Sequence, residues 1–494
     1  MLRRSATLAL ACALLALPGC GGDDEPPPPR DPLGEVVGYL PTEALAVGIV
    51  STQTERGNGG LLAARLRRVP ATELVLGELD QLVTEAGMSL NDLGAQRGNP
   101  IAVSLPDLVD LTEYRTPLAA WMVRDEDKLK QSLAAAAEGG TLTAAGTYRQ
   151  AALYRAEDGS PAYARAGPIL LLARDTDTLR LALDRKAARR GMSIAMLEGR
   201  LAGTPRTAPI RLSANLTVAL AGPDFAALRK VPWIGALERG TVAVEADREA
   251  ITTTVALDTR ESDLVDRDLP IARGPAAPPV PKYGALRAGL RDPAASVIFA
   301  QRVWKALQPE AAAALETAVT PLRLIGIDLD RDLIGNLASP ALLSTDLEDS
   351  RLRVALRDPE GFADALNKVR FLLPPILGAL GLEGLTLTVA PDGATQVSVN
   401  AVVVARLAVV DGQLVISTRE QDLQRVARAP VESVPDAEGA FVVRMQSDRL
   451  RATVARLVGL PARAGFALDG VGDGTLVVRA EPDETRGVLR LDVG

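Results

Sequence analysis

Residues 240–258 read GTVAVEADREAITTTVALD, in which two runs of β-branched and small apolar residues flank the charged triplet Asp247-Arg248-Glu249. Valine, isoleucine and threonine favour extended strands, and a short polar segment between two such runs is typical of a hairpin. We therefore predict antiparallel strands over residues 241–246 and 251–257. The hairpin indicates the class of sheet, because strands joined by a tight turn pair in antiparallel fashion.

The pattern recurs near the end of the sequence, where residues 474–492 read GTLVVRAEPDETRGVLRLD. Three other blocks recur in the same order: residues 87–104 match 326–344, residues 123–133 match 356–366, and residues 167–175 match 412–420. Since all four blocks are collinear, they indicate an internal duplication.

The boundary between the two copies is predicted in a stretch that is rich in proline. Five prolines stand between residues 270 and 281, with Gly274 among them. Such a composition is typical of a linker. We expect a first module at residues 33–265, a linker at residues 266–282 and a second module at residues 283–494.

Each predicted module mixes strands with helices. Predicted strands cover residues 44–50, 100–105, 118–124, 147–155, 162–165, 169–173 and 296–300. Predicted helices cover residues 60–86, 125–136 and 303–324, with Gly87 and Gly326 just after two of them and Asp125, Asp358 and Asp328 as N-caps. Hairpins alternating with helices favour the α+β class: two similar modules, each with a mainly antiparallel sheet and packed helices.

Three motifs carry a family resemblance. They are Tyr39-Leu40-Pro41-Thr42-Glu43-Ala44-Leu45-Ala46 ahead of a strand, the Gly-x-Ser/Asp-Leu block at residues 87–90 and 326–329, and Gly167-Pro168-Ile169-Leu170-Leu171 leading into a helix. The chain resembles a two-repeat family of envelope lipoproteins of unknown function from high-GC bacteria and cyanobacteria. The resemblance covers most of both halves and implies the repeated module and an envelope location. It implies no activity, because the family has none assigned.

The first 19 residues resemble a lipoprotein signal peptide. Arg3 and Arg4 precede an apolar stretch, residues 5–17, which is too short to span a bilayer and ends in Leu17-Pro18-Gly19-Cys20. In a lipobox of this kind the cysteine becomes the acylated N-terminus, so we expect lipidation at Cys20. The alternative is an ordinary secretory signal with a cysteine there by chance.

Residues 20–32 form the predicted tether between the lipid and the globular part. They include Pro26-Pro27-Pro28-Pro29, a stiff run that cannot build a core. The other cysteine, Cys12, lies within the predicted signal peptide, so the mature chain has no disulfide. We expect an exported protein held on the outer face of the cell membrane, or in the outer membrane or periplasm of a bacterium with two membranes.

Composition argues against several classes of function. The net charge of −7 gives no basic surface, so nucleic acid is not expected as a partner. The sequence contains no histidine, which excludes Ser-His-Asp and Cys-His catalysis and the usual zinc sites. We predict no catalytic residues, no cofactor and no metal.

The motifs that could carry chemistry have simpler structural interpretations. Asp328, Asp330 and Asp332 begin like a calcium loop, but Leu333 and Ser339 stand where that loop needs glycine and glutamate. A capped helix start explains them better. Asp125 and Asp358 are likewise interpreted as helix caps rather than as a catalytic pair.

One apolar segment differs between the predicted modules. Residues 371–382 read FLLPPILGALGL, whereas the matching residues 134–140 of the first module read AAAAEGG and contain no large apolar side chain. The segment is interpreted as a buried helix, or else as the wall of a pocket for a lipid-like ligand, lined by Leu372, Ile376, Leu377 and Leu380.

Three functions remain open at this stage. The first is a non-catalytic envelope scaffold or interaction protein, which binds the membrane through Cys20 and has an envelope protein as its possible partner. The second is a carrier or sensor of an apolar ligand. The third is an enzyme using clustered carboxylates or lysines, which would need such groups together in one cleft.

Overall fold

The computed structural model describes residues 31–53, 57–66, 98–105, 117–156, 161–260, 263–324, 326–346, 349–379, 384–419, 422–447 and 471–493. Mixed α+β structure is present throughout, with one large antiparallel sheet and several packed helices.

The strands are numbered in chain order. The first ten are β1 (Ala46–Val50), β2 (Ile101–Leu105), β3 (Leu118–Met122), β4 (Leu142–Tyr148), β5 (Ala151–Ala156), β6 (Ala162–Ala166), β7 (Ile169–Ala173), β8 (Ile210–Asn215), β9 (Leu237–Ala246) and β10 (Ala250–Thr259). The next six are β11 (Val280–Pro281), β12 (Leu286–Leu290), β13 (Leu337–Thr345), β14 (Ser350–Leu356), β15 (Leu385–Val389) and β16 (Thr395–Val399). The last six are β17 (Val402–Val410), β18 (Gln413–Ser417), β19 (Val431–Glu432), β20 (Phe441–Met445), β21 (Val471–Ala480) and β22 (Glu484–Val493).

Within the described ranges, 20 of these strands join into one sheet in which every pairing is antiparallel. From one edge to the middle the order is β4-β5-β6-β7-β3-β2-β1-β8-β9-β10. The sheet continues as β22-β21-β20-β12-β13-β14-β18-β17-β16-β15. The two runs meet where β10 pairs with β22 along nine residue pairs, from Ala250 with Asp492 to Asp258 with Glu484.

The helices are also numbered in chain order. They are α1 (Pro32–Val37), α2 (Gly57–Leu66), α3 (Glu126–Glu138), α4 (Thr176–Ala187), α5 (Ile194–Arg200), α6 (Leu216–Ala219), α7 (Pro232–Gly235), α8 (Pro293–Leu307), α9 (Pro309–Leu324), α10 (Pro359–Ala379) and α11 (Leu423–Ala427). A π-helical turn covers Leu329–Ile334, and short 3-10 turns cover Pro223–Phe225, Leu228–Lys230 and Asp266–Asp268.

Helices cover both faces of the sheet in the first half of the chain. On one face, Val36 of α1, Leu179 of α4 and Leu197 of α5 pack against strand residues such as Val47 and Leu171. On the other face, Leu129 and Leu133 of α3 pack against Trp121 and its neighbours. Successive strand residues point to opposite faces, so the apolar strands Leu118–Met122 and Ile169–Ala173 fill both layers.

Several local predictions are confirmed. The hairpin at residues 241–246 and 251–257 is β9 and β10, which extend further than predicted on their outer sides. Asp125 accepts a hydrogen bond from the Lys128 amide at 2.8 Å, and Asp358 accepts one from the Gly361 amide at 2.9 Å. Both carboxylates therefore cap helix N-termini, as predicted.

Two strand predictions are wrong. Residues 296–300 lie inside α8, which begins at Pro293 after the N-cap Asp292, and the strand of that region is β12. Residues 147–155 are not one strand: they contain the end of β4, a turn and most of β5, and the turn residues Arg149 and Gln150 both adopt positive φ angles, 44° and 65°. Two such residues form the tight turn that usually contains glycine or asparagine.

The proline-rich segment at residues 266–282 is described along its whole length and packs on the body. Leu269 and Val280 have no exposed surface. Val280 and Pro281 form β11, which pairs with β19. The prolines therefore lie on an ordered path along the sheet, an arrangement that a proline-rich connection permits as readily as separation.

Candidate functional site

The chain joins the body at the point where the predicted tether ends. Asp31 is the N-cap of α1, where its carboxylate accepts a hydrogen bond from the Leu33 amide at 3.2 Å. Pro32 occupies the first helical position, which suits its fixed φ angle. Val36 and Val37 are buried, with 0% and 2% of their surface exposed. Cys20 and residues 20–30 lie outside the described residues.

The short α1 is held in place by close backbone contacts. The Met192 amide donates a hydrogen bond to the Leu40 carbonyl oxygen at 3.0 Å, and Lys186 donates one to the Glu35 carbonyl oxygen at 2.7 Å. Gly191 lies directly against Gly38, where a Cβ atom built on Gly191 would come within 1.8 Å of the Gly38 carbonyl oxygen. These contacts fix α1 and the segment after it against residues 186–192.

The predicted apolar-ligand residues fall on α10 and just beyond its end. Leu372, Ile376 and Leu377 belong to this helix, but their side chains are outside the described part of the chain, and so is the whole of Leu380. The helical interpretation of the segment is confirmed as far as Ala379.

An exposed apolar surface lies near α10 and was not predicted from the sequence. The name valine surface is used here for five exposed valines: Val389, Val399, Val402, Val403 and Val404. Val399 pairs with Val402 beside the hairpin turn, Val403 pairs with Ser398 and points to the other face, and Val389 pairs with Thr395 at the far end of β15. The exposed fractions of the five valines range from 36% at Val399 to 65% at Val402. The helix α10 packs beside both β15 and β17.

The part of the valine surface on the β16–β17 hairpin carries no charge. Residues 393–405 contain no charged side chain, and the first charges on either side are Asp392 and Arg406. These two form an ion pair at 2.5 Å, on the opposite end of the hairpin from its turn at Asn400 and Ala401. Exposed aliphatic side chains on the uncharged end of a hairpin are unfavourable in water, which is typical of a surface that meets another apolar or uncharged surface.

A shallow open recess lies where the linker segment meets the turn between β21 and β22. Its lining includes Leu264, Val265, Asp266 and Arg273. Arg273 pairs with Glu481 at 2.6 Å and lies 3.7 Å from Asp266. Arg273 is therefore neutralised by Glu481 and Asp266, as expected of a structural junction.

The shifted pKa values of the described carboxyl groups share one direction of change. Within the described ranges, the carboxyl groups with a clearly shifted pKa all have it lowered: Glu43, Asp175, Asp184, Glu198, Asp247, Asp332 and Asp392. At Glu198 the main cause is the hydrogen bond from Arg211, and at Asp332 it is the hydrogen bond from Arg331. A lowered pKa keeps these groups ionised at neutral pH, whereas a general acid needs a raised one.

The acidic run at residues 328–332 binds its own backbone. Asp328 accepts hydrogen bonds from the amides of Asp330 and Arg331 at 3.0 and 3.1 Å, so the predicted N-cap is confirmed. Asp332 accepts one from the Asp328 amide at 2.9 Å. Over the residues with described positions, no group of three or more histidine, cysteine, aspartate or glutamate side chains could hold a metal ion.

The chain was compared with protein families, curated proteins and solved structures. No protein-family model matches the chain, and no curated protein is significantly similar to it. The chain is similar to the solved structures of crystal forms III and IV of TP0453, each with 10% sequence identity and a TM-score of 0.28. The two matches cover 47% and 45% of this chain, and each covers 80% of the TP0453 chain. A TM-score this low does not establish a common fold. Among the described residues, no helix is both long enough and apolar enough to cross a bilayer.

Proposed function

We propose that this protein is an exported lipoprotein, anchored to a membrane surface through lipid on Cys20, whose body is a non-catalytic envelope scaffold. The observation that carries the proposal is Leu17-Pro18-Gly19-Cys20, followed by a polar, proline-rich tether that ends at the capped start of α1. About ten extended residues span roughly 30–35 Å, so the body would stay close to the surface that holds the lipid.

The electrostatics support a scaffold rather than an enzyme. Catalysis without histidine needs carboxylates, lysines or tyrosines with pKa values shifted toward neutrality and gathered in one cleft. The shifted carboxylates described above have lowered pKa values and serve ion pairs, caps and turns. The partners that fit this surface chemistry are the membrane and uncharged protein surfaces, and nucleic acid is not among them.

We also propose that the body arose by internal duplication, with modules at residues 33–265 and 283–494. The strand order supports this, because it is equivalent when read inward from either edge of the sheet. Thus β4-β5-β6-β7-β3 at one edge corresponds to β15-β16-β17-β18-β14 at the other, and β2-β1-β8-β9-β10 corresponds to β13-β12-β20-β21-β22.

The connections and the repeated sequence blocks support the duplication independently. The helix α3 connects β3 to β4, and α10 connects β14 to β15 in the corresponding place. The block at residues 167–175 lies at β7, and its match at residues 412–420 lies at β18. On this proposal the sheet has an approximate twofold axis between β10 and β22.

Replacing Cys20 with alanine should abolish lipidation and release the body from the membrane. The thiol is the only group in the lipobox that can be acylated, so the expected result is an unprocessed or soluble product. Intact mass and the incorporation of labelled palmitate check it, with Cys12→Ala as the matched control that keeps both processing and lipid. A wild-type protein that fractionates as soluble and unmodified would contradict the anchor.

A second candidate function is a carrier or sensor of an apolar ligand. The observation that favours it is the position of α10, with Leu372, Ile376 and Leu377 in its second half, beside the strands of the valine surface. Native mass spectrometry of the purified chain should then show a co-purified lipid-like molecule. The substitution Ile376→Asp should reduce the bound fraction. The control Leu181→Asp, at an exposed position of α4, should retain it. A spectrum with only the bare chain would count against this function.

A further inference from the structure

The two edges of the 20-stranded sheet differ in how they are protected from pairing with another strand. An unpaired edge strand presents free N–H and C=O groups, and proteins protect such edges with bulges, prolines or charges. The edge strand β4 has a bulge between Ala144 and Gly146, where Gly146 adopts a φ of 92°. This bulge interrupts the regular ladder at that edge.

The edge strand β15 has no such protection. Its sequence is Leu385-Thr386-Leu387-Thr388-Val389, without proline or charge. It pairs with β16 in one continuous register of five residue pairs. Thr386, Thr388 and Val389 are exposed, and within the described residues no strand pairs with the outer side of β15. A regular, uncharged edge of this kind is open to extension by another strand.

The sequence of β15 fits a second copy of the same strand. In an antiparallel pair centred on Leu387, Leu385 would lie opposite Val389 of the second copy, and Thr386 opposite Thr388. Aliphatic residues then meet aliphatic residues on one face and threonines meet threonines on the other, both of which are favourable cross-strand pairs. In a twofold pair a charge at the axis would face the same charge of the second copy, so the absence of charge on β15 and over residues 393–405 of the β16–β17 hairpin favours this occupant.

The chain already contains the same type of junction. At the centre of the sheet, β10 and β22 from opposite halves of the chain pair antiparallel along nine residue pairs. That junction shows that a sheet of this composition continues across an edge-to-edge contact. Anchoring would add to the effect, because two chains held on one membrane have a raised effective concentration.

We infer that β15 is a self-association edge, through which two copies of the chain pair their sheets in antiparallel fashion. The contact would extend the two sheets into one and bring the valine surfaces of both copies to the same junction. This inference names a partner for the proposed scaffold and so rests on that function. The test below uses the chain from Gly21 to Gly494 without lipid, so its failure would leave the anchor at Cys20 standing.

The test is the double substitution Thr386→Lys and Thr388→Lys. The wild-type chain should show concentration-dependent dimers by sedimentation velocity. In the variant, two pairs of ammonium groups would face each other across the twofold axis, so the dissociation constant should rise about tenfold or more. The matched control is Thr143→Lys with Thr147→Lys, at exposed positions of the other edge strand, and it should dimerise like the wild type. Thermal melting of each variant verifies folding.

Hydrogen exchange gives a second measurement that does not depend on a variant. Amides of residues 385–389 should be protected more strongly at high protein concentration than at low concentration, while those of β4 should not change. A wild-type chain that stays monomeric without such protection would overturn the inference. Dimers that persist in the β15 variant, or that the β4 control also loses, would overturn it as well, because the contact would then lie elsewhere.

Discussion

Replacing Glu198 with alanine should lower the free energy of unfolding by about 3 kcal/mol. Glu198 on α5 accepts two hydrogen bonds from the guanidinium group of Arg211, at 2.9 and 3.0 Å. The Arg211 side chain, on β8, is only 6% exposed, whereas that of Glu198 is 24% exposed. The substitution would leave a buried cation with only the Thr204 hydroxyl, at 2.9 Å, as its side-chain partner. A buried charge without its counter-charge is strongly destabilising.

Denaturant unfolding monitored by circular dichroism measures this effect. The matched control is Glu316→Ala on α9, which removes the partner of Arg323 from a pair whose two side chains are both 54% exposed. Its unfolding midpoint should stay within error of the wild type, because water screens surface pairs. Equal losses in both variants would contradict the prediction, because the loss of stability would then not depend on burial of the ion pair.

The same ion pair predicts a dependence on pH. The hydrogen bond from Arg211 holds the pKa of Glu198 below its ordinary value of 4.5. A depressed pKa contributes stability that is complete above the unfolded value and is lost as the pH falls through the folded one. The stability difference between wild type and Glu198→Ala should therefore be full at neutral pH and shrink below about pH 4.5. A difference that grows on acidification would contradict the ion pair.

Replacing Gly191 with alanine should destabilise the protein by about 2–3 kcal/mol. The added Cβ atom would lie 1.8 Å from the Gly38 carbonyl oxygen and 2.5 Å from its carbon. Both are backbone atoms, so the segment after α1 would have to move rather than a flexible side chain. The hydrogen bond from the Met192 amide to the Leu40 carbonyl oxygen would weaken with it. Faster hydrogen exchange at residues 32–40 and a lower unfolding midpoint are the expected results.

Gly199 provides the matched control for this substitution. It lies in α5, and a Cβ atom there would meet nothing within 4 Å. Gly199→Ala should therefore stabilise the protein slightly, by roughly 0.5–1 kcal/mol, because alanine is the better helix former. If Gly191→Ala were as stable as Gly199→Ala, the close contact between Gly191 and Gly38 would be wrong.

Local hydrogen bonds made parts of the fold predictable from the sequence. The caps at Asp125, Asp328 and Asp358 depend on residues two or three positions away, so the sequence pattern identifies them directly. The β9–β10 hairpin is predictable for the same reason, since both strands and their turn are contiguous in the chain. In each of these confirmed predictions the interacting residues are close together in the sequence.

The two wrong strand predictions also have explanations in the local sequence. Residues 296–300 are apolar and partly β-branched, which suggests a strand, and the start signal Asp292-Pro293 was the stronger indicator of a helix. The turn at Arg149 and Gln150 contains no glycine or asparagine, so nothing in its composition marks it as a break between strands.

The candidate surface could not be predicted because it depends on exposure. A valine-rich run such as residues 402–404 is typical of a strand buried on both faces, and only the fold shows that these residues are exposed beside a hairpin turn. The absence of charge over residues 393–405 is visible in the sequence, but it does not distinguish a core strand from an exposed one. The lipid anchor remains a prediction from residues 17–20.

The pairing of β10 with β22 has a consequence for how the molecule acquires its structure. Nearly half of the chain separates these two strands, so their ladder is among the least local contacts in the protein. Folds that depend on such distant contacts form slowly. A chain that emerges N-terminus first would leave β10 without this neighbour until β22 has been synthesised. Loss of β22 alone would leave β10 and β21 as two unpaired edges at the centre of the sheet, so this one strand joins the two runs of strands.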